Sequence, residues 1–279
     1  MNAQNSLPDR YAVIGYPVAH SWSPFIHGMF AQQTGHNLTY SRLEAAPERF
    51  IAETTAFFAS GGKGLNVTVP HKQAAFAFAH ERTARAEMAG AVNTLAARED
   101  GVVGDNTDGV GLITDLRRNL ALELAGARIL LLGAGGAARG VLAPLLEAGP
   151  REIEIANRRA DRAVDLANEF APLGEVHGCG FDEISRTHTF DLVLNATSAS
   201  LQGAVPAVPP GAIGPATLCY DMAYAKGDTA FTRWAKDAGS ERTATGWGML
   251  VEQAAESFML WRGLRPDTKF VLEVLEAQR

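Results

Sequence analysis

A chain of 279 residues, 47% hydrophobic and 20% charged, exceeds the usual size of one compact domain and carries enough apolar material for two. Its formal charge of -6 removes the diffuse positive field used by nucleic-acid and anionic-membrane binders, which leaves a small molecule as the partner. No apolar run suits a membrane span, the opening MNAQNSLPDR lacks the core of a secretory signal, and Cys179 and Cys219 have no metal-ligand spacing; a cytoplasmic protein with two buried free thiols and no metal is expected.

Short apolar runs alternate with segments of helical period, a βαβ rhythm that predicts an α/β fold with helices packed on largely parallel sheets. In chain order, strands are expected at 11–15, 38–43, 64–69 and 91–97, with helices at 24–33 and 47–59 between them. The segment 108–120 has helical periodicity and reads as a rigid connector, with the domain boundary near Gly109. A second strand series follows at 127–133, 151–157, 190–197 and 217–222. The Pro-rich stretch 206–215 reads as an exposed loop. After Gly246 come MLVEQAAESFMLWRG and, beyond Pro266, a last amphipathic stretch; periodicity alone lets these dock on either domain.

Within the second series, Gly133, Gly135 and Ala138 occupy the small positions of the GxGxxG/A fingerprint. The string follows an apolar strand and opens a helix over 136–147, the context in which backbone N–H groups and the helix dipole receive a dinucleotide pyrophosphate. Gly133, Ala134, Gly135, Gly136 and Ala137 are therefore candidate cofactor contacts. Pro144, deep in that helix, is expected to kink it.

An acidic residue at the end of the next strand would bind the ribose hydroxyl of NAD, but Asn157 stands there. Arg158, Arg159 and Arg162 follow it and offer cationic forks to a 2′-phosphate, so NADP is the expected cofactor. The plainer reading of any one of them is a solvated basic residue at a helix start.

Several strings then resemble one family along nearly the whole chain. SWSP at 21–24, NVTVPHK at 66–72, GAVNT at 90–94, DNTDG at 105–109, NATS at 195–198, YDMAY at 220–224 and GWGMLVEQA at 246–254 look like the signatures of shikimate dehydrogenases. The resemblance implies reversible NADPH-dependent reduction of 3-dehydroshikimate to shikimate, a step toward chorismate and the aromatic amino acids. It implies an N-terminal α/β substrate domain, 1–109 plus 247–279, and a C-terminal Rossmann-type NADP domain, 110–246, with a cleft between them. In the family, the residues matching Lys72 and Asp108 form the catalytic pair. Those matching Ser21, Ser23, Asn66, Thr68, Asn93, Asp108, Tyr224 and Gln253 hold the substrate, and Met222 and Gly246 lie beside the nicotinamide.

Residue chemistry agrees with these implied roles. Ser, Thr and Asn supply the hydrogen-bonding inventory that a polyhydroxylated carboxylate needs. A lysine serves hydride transfer by taking the carbinol proton or returning it to the carbonyl. Burial would lower the lysine pKa and a neighbouring Asp108 would raise it, so its working protonation state stays open. Taken singly, Lys72 also reads as a surface lysine at a helix start and Asp108 as a helix N-cap.

Three positions depart from the family pattern: Trp22 between the two serines, His71 before Lys72 where an aromatic is common, and Ala84 where an acid is frequent. None removes a reacting group, and His71 reads as a packing or solvent-facing residue. The nearest alternative is a quinate/shikimate dehydrogenase accepting NAD, with Asp161 as the acid near the ribose; a non-catalytic ligand sensor is the other. A homodimer is compatible with the sequence.

Overall fold

The computed structural model describes residues 7–197 and 199–277, with the side chains of 201, 202 and 210 outside the description. Residues 1–6, Ser198 of the NATS string, and 278–279 lie outside the described residues. The chain forms two compact units. The first runs to Asp108 and takes in Val251–Leu275; the second spans Gly109–Leu250.

The first unit opens with β1 (Asp9–Gly15), α1 (Ser23–Thr34), β2 (Leu38–Glu44), α2 (Phe50–Ala59), β3 (Gly64–Val67) and α3 (Lys72–Phe78). It continues with β4 (Glu81–Arg82), α4 (Ala84–Ala89), β5 (Thr94–Arg98) and β6 (Gly101–Asp105). The sheet order is β2-β1-β3-β5-β6-β4. β1 is parallel to β2 and β3, whereas β5 runs antiparallel to both β3 and β6. This sheet is thus largely parallel with β5 alone reversed: Arg98 pairs with Gly101 across a two-residue turn, and so short a connection joins only antiparallel strands. Ile14, Phe50, Leu65 and Leu95, all fully buried, make its core.

From Asp108, the last residue of this stretch of the first unit, α5 (Asp108–Thr114) leads into the second unit and is extended by a π-helical turn over Asp115–Asn119. Next come β7 (Arg128–Leu132), α6 (Gly136–Glu147), β8 (Glu152–Asn157), α7 (Ala160–Phe170), β9 (Val176–Gly180) and β10 (Leu192–Asn195). β11 (Leu218–Asp221), α8 (Ala230–Asp237) and β12 (Arg242–Thr245) complete it. Every pairing is parallel, in the order β12-β11-β10-β7-β8-β9. Strands β7 and β10, at the sheet centre, read as unbroken apolar runs because both faces are covered. Finally α9 (Trp247–Arg262) carries the chain back to the first unit, where α10 (Lys269–Glu276) follows; the unit division falls inside α9 rather than at residue 247.

The helix over 136–147 runs to Glu147 with Pro144 inside it, and a Cβ on Gly109 would lie 2.4 Å from the Pro144 ring, so the proline ring fills a space that only glycine leaves free. Two expectations change. The stretch 206–215 is not simply exposed: Val208, Ala212 and Ile213 pack with Phe190 and Phe231, because the apolar residues between the prolines find the core. Cys219 is buried, but Cys179 is only half-buried, with Sγ 3.4 Å from Glu154 Oε1.

Candidate active site

β3 ends at Val67, and the chain turns through Thr68–His71 before α3 begins at Lys72. The Thr68 N–H bonds to Ile14 O at 2.9 Å and the His71 N–H returns to Thr68 O at 2.9 Å, so the turn is anchored on the sheet. His71 is buried; its Nε2 donates to the Ala45 carbonyl at 2.8 Å and its ring stacks on Phe50. It is a packing residue, turned away from any acid–base role. Lys72 Nζ reaches Asp108 Oδ2 at 2.6 Å.

Asp108 is the first residue of α5, and Asn106 Oδ1 accepts its N–H at 3.1 Å. The Asp108 carboxylate meets side-chain partners. Its Oδ1 accepts Asn93 Nδ2 at 2.9 Å. The orientation of Asn93 is fixed because Thr107 N–H, which can only donate, meets Asn93 Oδ1 at 2.8 Å. Gln253 Oε1, from α9, is 3.3 Å from Asn93 Nδ2.

Behind this pair lies a buried polar cluster. Asn66 Nδ2 donates to Ser257 Oγ at 2.8 Å and Thr94 Oγ1 at 3.2 Å, and Thr107 Oγ1 is within reach of Asn93 Oδ1 at 3.2 Å. Tyr40 hydroxyl donates to Asn66 Oδ1 at 2.8 Å. Burial pushes the Tyr40 hydroxyl well above the usual tyrosine range, with Ser23 partly opposing the shift. Ser23 in turn accepts from Ser21 Oγ at 3.2 Å, and Arg42 pins the Ser21 carbonyl at 2.5 Å. Trp22, between the serines, occupies the cap of α1 and sets its ring edge-on to Phe25.

The first unit therefore gathers Lys72, Asp108, Asn93 and Gln253 through direct hydrogen bonds, links Asn66 to them through Thr94 and Ser257, and joins the Ser21–Ser23 pair through Tyr40. Thr68 belongs to the turn that delivers Lys72. Tyr40, Thr94, Thr107 and Ser257 were not singled out by sequence reasoning. Thr94 and Thr107 lie inside the GAVNT and DNTDG strings, and Ser257 falls one helical turn after Gln253, on the same face.

In the second unit, β7 delivers the glycine loop. Gly133 adopts φ +105° and a Cβ there would sit 3.1 Å from Thr197 Cγ2, so only glycine serves both needs. Ala138 is fully buried and must stay small to seat α6. Gly135, Gly136 and Ala137 form the exposed rim with Ala134 half-buried, and a Cβ on Gly135 or Gly136 would meet only open space. An open cradle of backbone N–H groups at the start of a twelve-residue helix fits a dinucleotide pyrophosphate.

β8 ends at Asn157, whose Nδ2 donates to the Arg159 carbonyl at 3.0 Å; Arg158, Arg159 and Arg162 are all exposed. Arg158 also lines a concavity of about 470 Å³ with Phe181, Asp182, Arg186 and Val208, a feature no sequence string announced. Met222 follows β11, its N–H bonded to Asn195 O at 3.0 Å. Gly246 packs so closely that a Cβ would come within 2.2 Å of the Met222 carbonyl oxygen. Tyr224 lies in this unit, its ring 4.7 Å from that of Trp247, and burial raises its hydroxyl pKa.

Residues 13–95 match the family described as shikimate dehydrogenase substrate binding domain, 115–203 that of shikimate / quinate 5-dehydrogenase, and 246–276 that of the shikimate 5'-dehydrogenase C-terminal domain. A relative from Methylococcus capsulatus named shikimate dehydrogenase (NADP(+)) is 53% identical over 98% of both chains. The crystal structure of an Ael1 enzyme from Pseudomonas putida superposes with a TM-score of 0.90 at 46% identity, covering 96% of this chain and 98% of that one. Shikimate 5-dehydrogenase from Thermus thermophilus, solved with NADP(H) and shikimate, gives a TM-score of 0.84 at 33% identity over 95% and 97%. With its fold, its strings and these likenesses running the length of the chain, this protein belongs to the shikimate dehydrogenase family.

Proposed function

We propose that the chain interconverts shikimate and 3-dehydroshikimate with NADP as cofactor, using Lys72 as the proton-transfer group. The observation that carries this reading is the Lys72–Asp108–Asn93 arrangement, in which one carboxylate oxygen holds Nζ at 2.6 Å and the other an amide at 2.9 Å. Asp108 fixes the direction of the lysine amine, so that Nζ gives its proton to a substrate carbonyl oxygen in reduction and takes it back from the carbinol in oxidation. NADP held by the second unit's glycine loop would supply the hydride chemistry of the reaction.

Ser21, Ser23, Asn66, Thr68, Asn93 and Gln253 are proposed to bind the substrate's carboxylate and hydroxyls, with Tyr224 from the second unit. The first unit thus takes the substrate role and the second the cofactor role. Gly133–Ala137, Asn157, Arg158, Arg159, Arg162, Met222 and Gly246 are proposed to hold NADP. Relatives at about half identity are named for NADP and shikimate, which favours this reading over a quinate enzyme accepting NAD. None of the described helices is long and apolar enough to cross a membrane. A cytoplasmic setting, where NADPH is available, fits the reaction.

The test is purified protein with shikimate and NADP+, followed at the nicotinamide absorbance band. NADPH formation at a kcat/KM well above that with quinate or NAD is expected. No turnover of shikimate with either cofactor would contradict the reading.

A further inference from the structure

Asn66 is held from two sides by residues that touch neither Lys72 nor Asp108. Its amide can be oriented without ambiguity, because the Asn93 carbonyl, which only accepts, lies 3.4 Å from Nδ2. The Oδ1 edge therefore faces the Tyr40 hydroxyl at 2.8 Å, and Tyr40 is the donor. The Tyr40 ring is itself placed by stacking on His27, centroids 4.3 Å apart and planes within 5°.

On the other side, Ser257 is fully buried on α9 and donates its proton to the Gln253 carbonyl at 3.1 Å. Its oxygen is thus left to accept, and it takes Asn66 Nδ2 at 2.8 Å and pairs with Thr94 Oγ1 at 2.8 Å. A carboxamide without both partners could rotate and offer N–H where an acceptor is wanted.

We propose that Tyr40 and Ser257 are positioning residues that clamp the Asn66 carboxamide from opposite edges, so that its carbonyl oxygen is always the atom presented to a substrate hydroxyl. This rests on the reading of Asn66 as a substrate contact. Tyr40→Phe keeps the ring on His27 and removes only the hydroxyl; Ser257→Ala removes only the hydroxyl at the other edge.

Each variant should raise the shikimate KM about tenfold, the order expected for one buried hydrogen bond, while the NADP KM and Tm change little. A merely structural role would move stability and both KM values together. In an Asn66→Ala background each substitution should add much less than tenfold to the shikimate KM, because the route through the carboxamide is gone and only the Tyr40–Ser23 and Ser257–Thr94 contacts remain. An unchanged shikimate KM in Tyr40→Phe, or the same tenfold loss repeated in the Asn66→Ala background, overturns the clamp. Should Ser257→Ala fail to fold, Tyr40→Phe decides by the same criteria. If Asn66→Ala itself leaves the shikimate KM unchanged, the substrate assignment of Asn66 fails and the clamp with it; a large Asn66→Ala loss beside an inert Tyr40→Phe rejects the clamp alone.

Discussion

Asn93 donates from Nδ2 to Asp108 Oδ1 at 2.9 Å, on the carboxylate oxygen that Lys72 leaves untouched. The aspartate is therefore gripped on both oxygens, and its hold on the lysine has a defined direction. Asn93→Ala frees one oxygen and also removes a proposed substrate contact. We expect kcat/KM for shikimate to fall by about a hundredfold, two hydrogen bonds' worth, with NADP affinity near wild type. Steady-state kinetics with each substrate varied in turn checks this, and a parallel loss of NADP affinity would argue for a folding defect.

Two glycines of the same loop should behave in opposite ways. Gly135 has φ −97° and open space beside it, so Gly135→Ala should keep the fold while its methyl intrudes on the cofactor cradle and raises the NADP KM about tenfold or more. Gly133 has φ +105° and Thr197 close by, so Gly133→Ala should cost about 1–3 kcal/mol of stability. Denaturation midpoints together with NADP titration separate the two. Equal destabilisation would refute the distinction.

Arg158 and Arg162 are exposed at the end of β8 and the start of α7, where a 2′-phosphate would find them. A charge-assisted hydrogen bond is worth about 1.5–3 kcal/mol, and solvent screening favours the lower end, so each Arg→Ala change should weaken NADP about tenfold and NAD hardly at all. Salt should erode the preference. An NADP/NAD ratio of kcat/KM that stays constant in the double variant would move the phosphate contact elsewhere.

His27 is buried beneath Tyr40, and burial lowers its pKa from 6.5 to about 3, with Asn66 partly opposing. The imidazole is neutral in the fold. Above pH 6.5 both folded and unfolded chains carry it uncharged, and it has no effect on the pH dependence of stability. As pH falls from 6.5 toward 3, only the unfolded chain takes the proton, so stability is lost by at most about 1.4 kcal/mol per pH unit. His27→Phe should flatten that part of the stability profile. Denaturant titrations near pH 7 and near pH 5 measure it; identical slopes in wild type and variant would show that His27 is not the group responsible.

The central strands were legible because burial on both faces writes an apolar run, as in Arg128–Leu132 and Leu192–Asn195. The edge strands Val176–Gly180 and Arg242–Thr245 were not, since a strand covered on one side keeps glycine, histidine, arginine and threonine and shows no such run. The two-residue strand Glu81–Arg82 is too short to leave a period. In the site, Lys72 and Asp108 stood out only through the strings around them; by local spacing Asp108 read as a helix cap, whereas its carboxylate takes hydrogen bonds from Lys72 and Asn93. Tyr40 and Ser257 left no local trace because their meaning lies in contacts 26 and 191 residues away with Asn66.

The most direct test of the account is single-turnover and steady-state kinetics of Lys72→Ala, Asp108→Asn and the double variant. The ion pair is partly exposed, so its loss should leave Tm and NADP binding almost unchanged. Each single change should lower kcat by roughly 10²–10⁴, the usual contribution of a positioned proton-transfer group, and the double variant should be little worse than the poorer single. Turnover within about tenfold of wild type in Lys72→Ala, or losses that simply add in the double variant, would contradict the assignment of Lys72 and Asp108 as one proton-transfer unit.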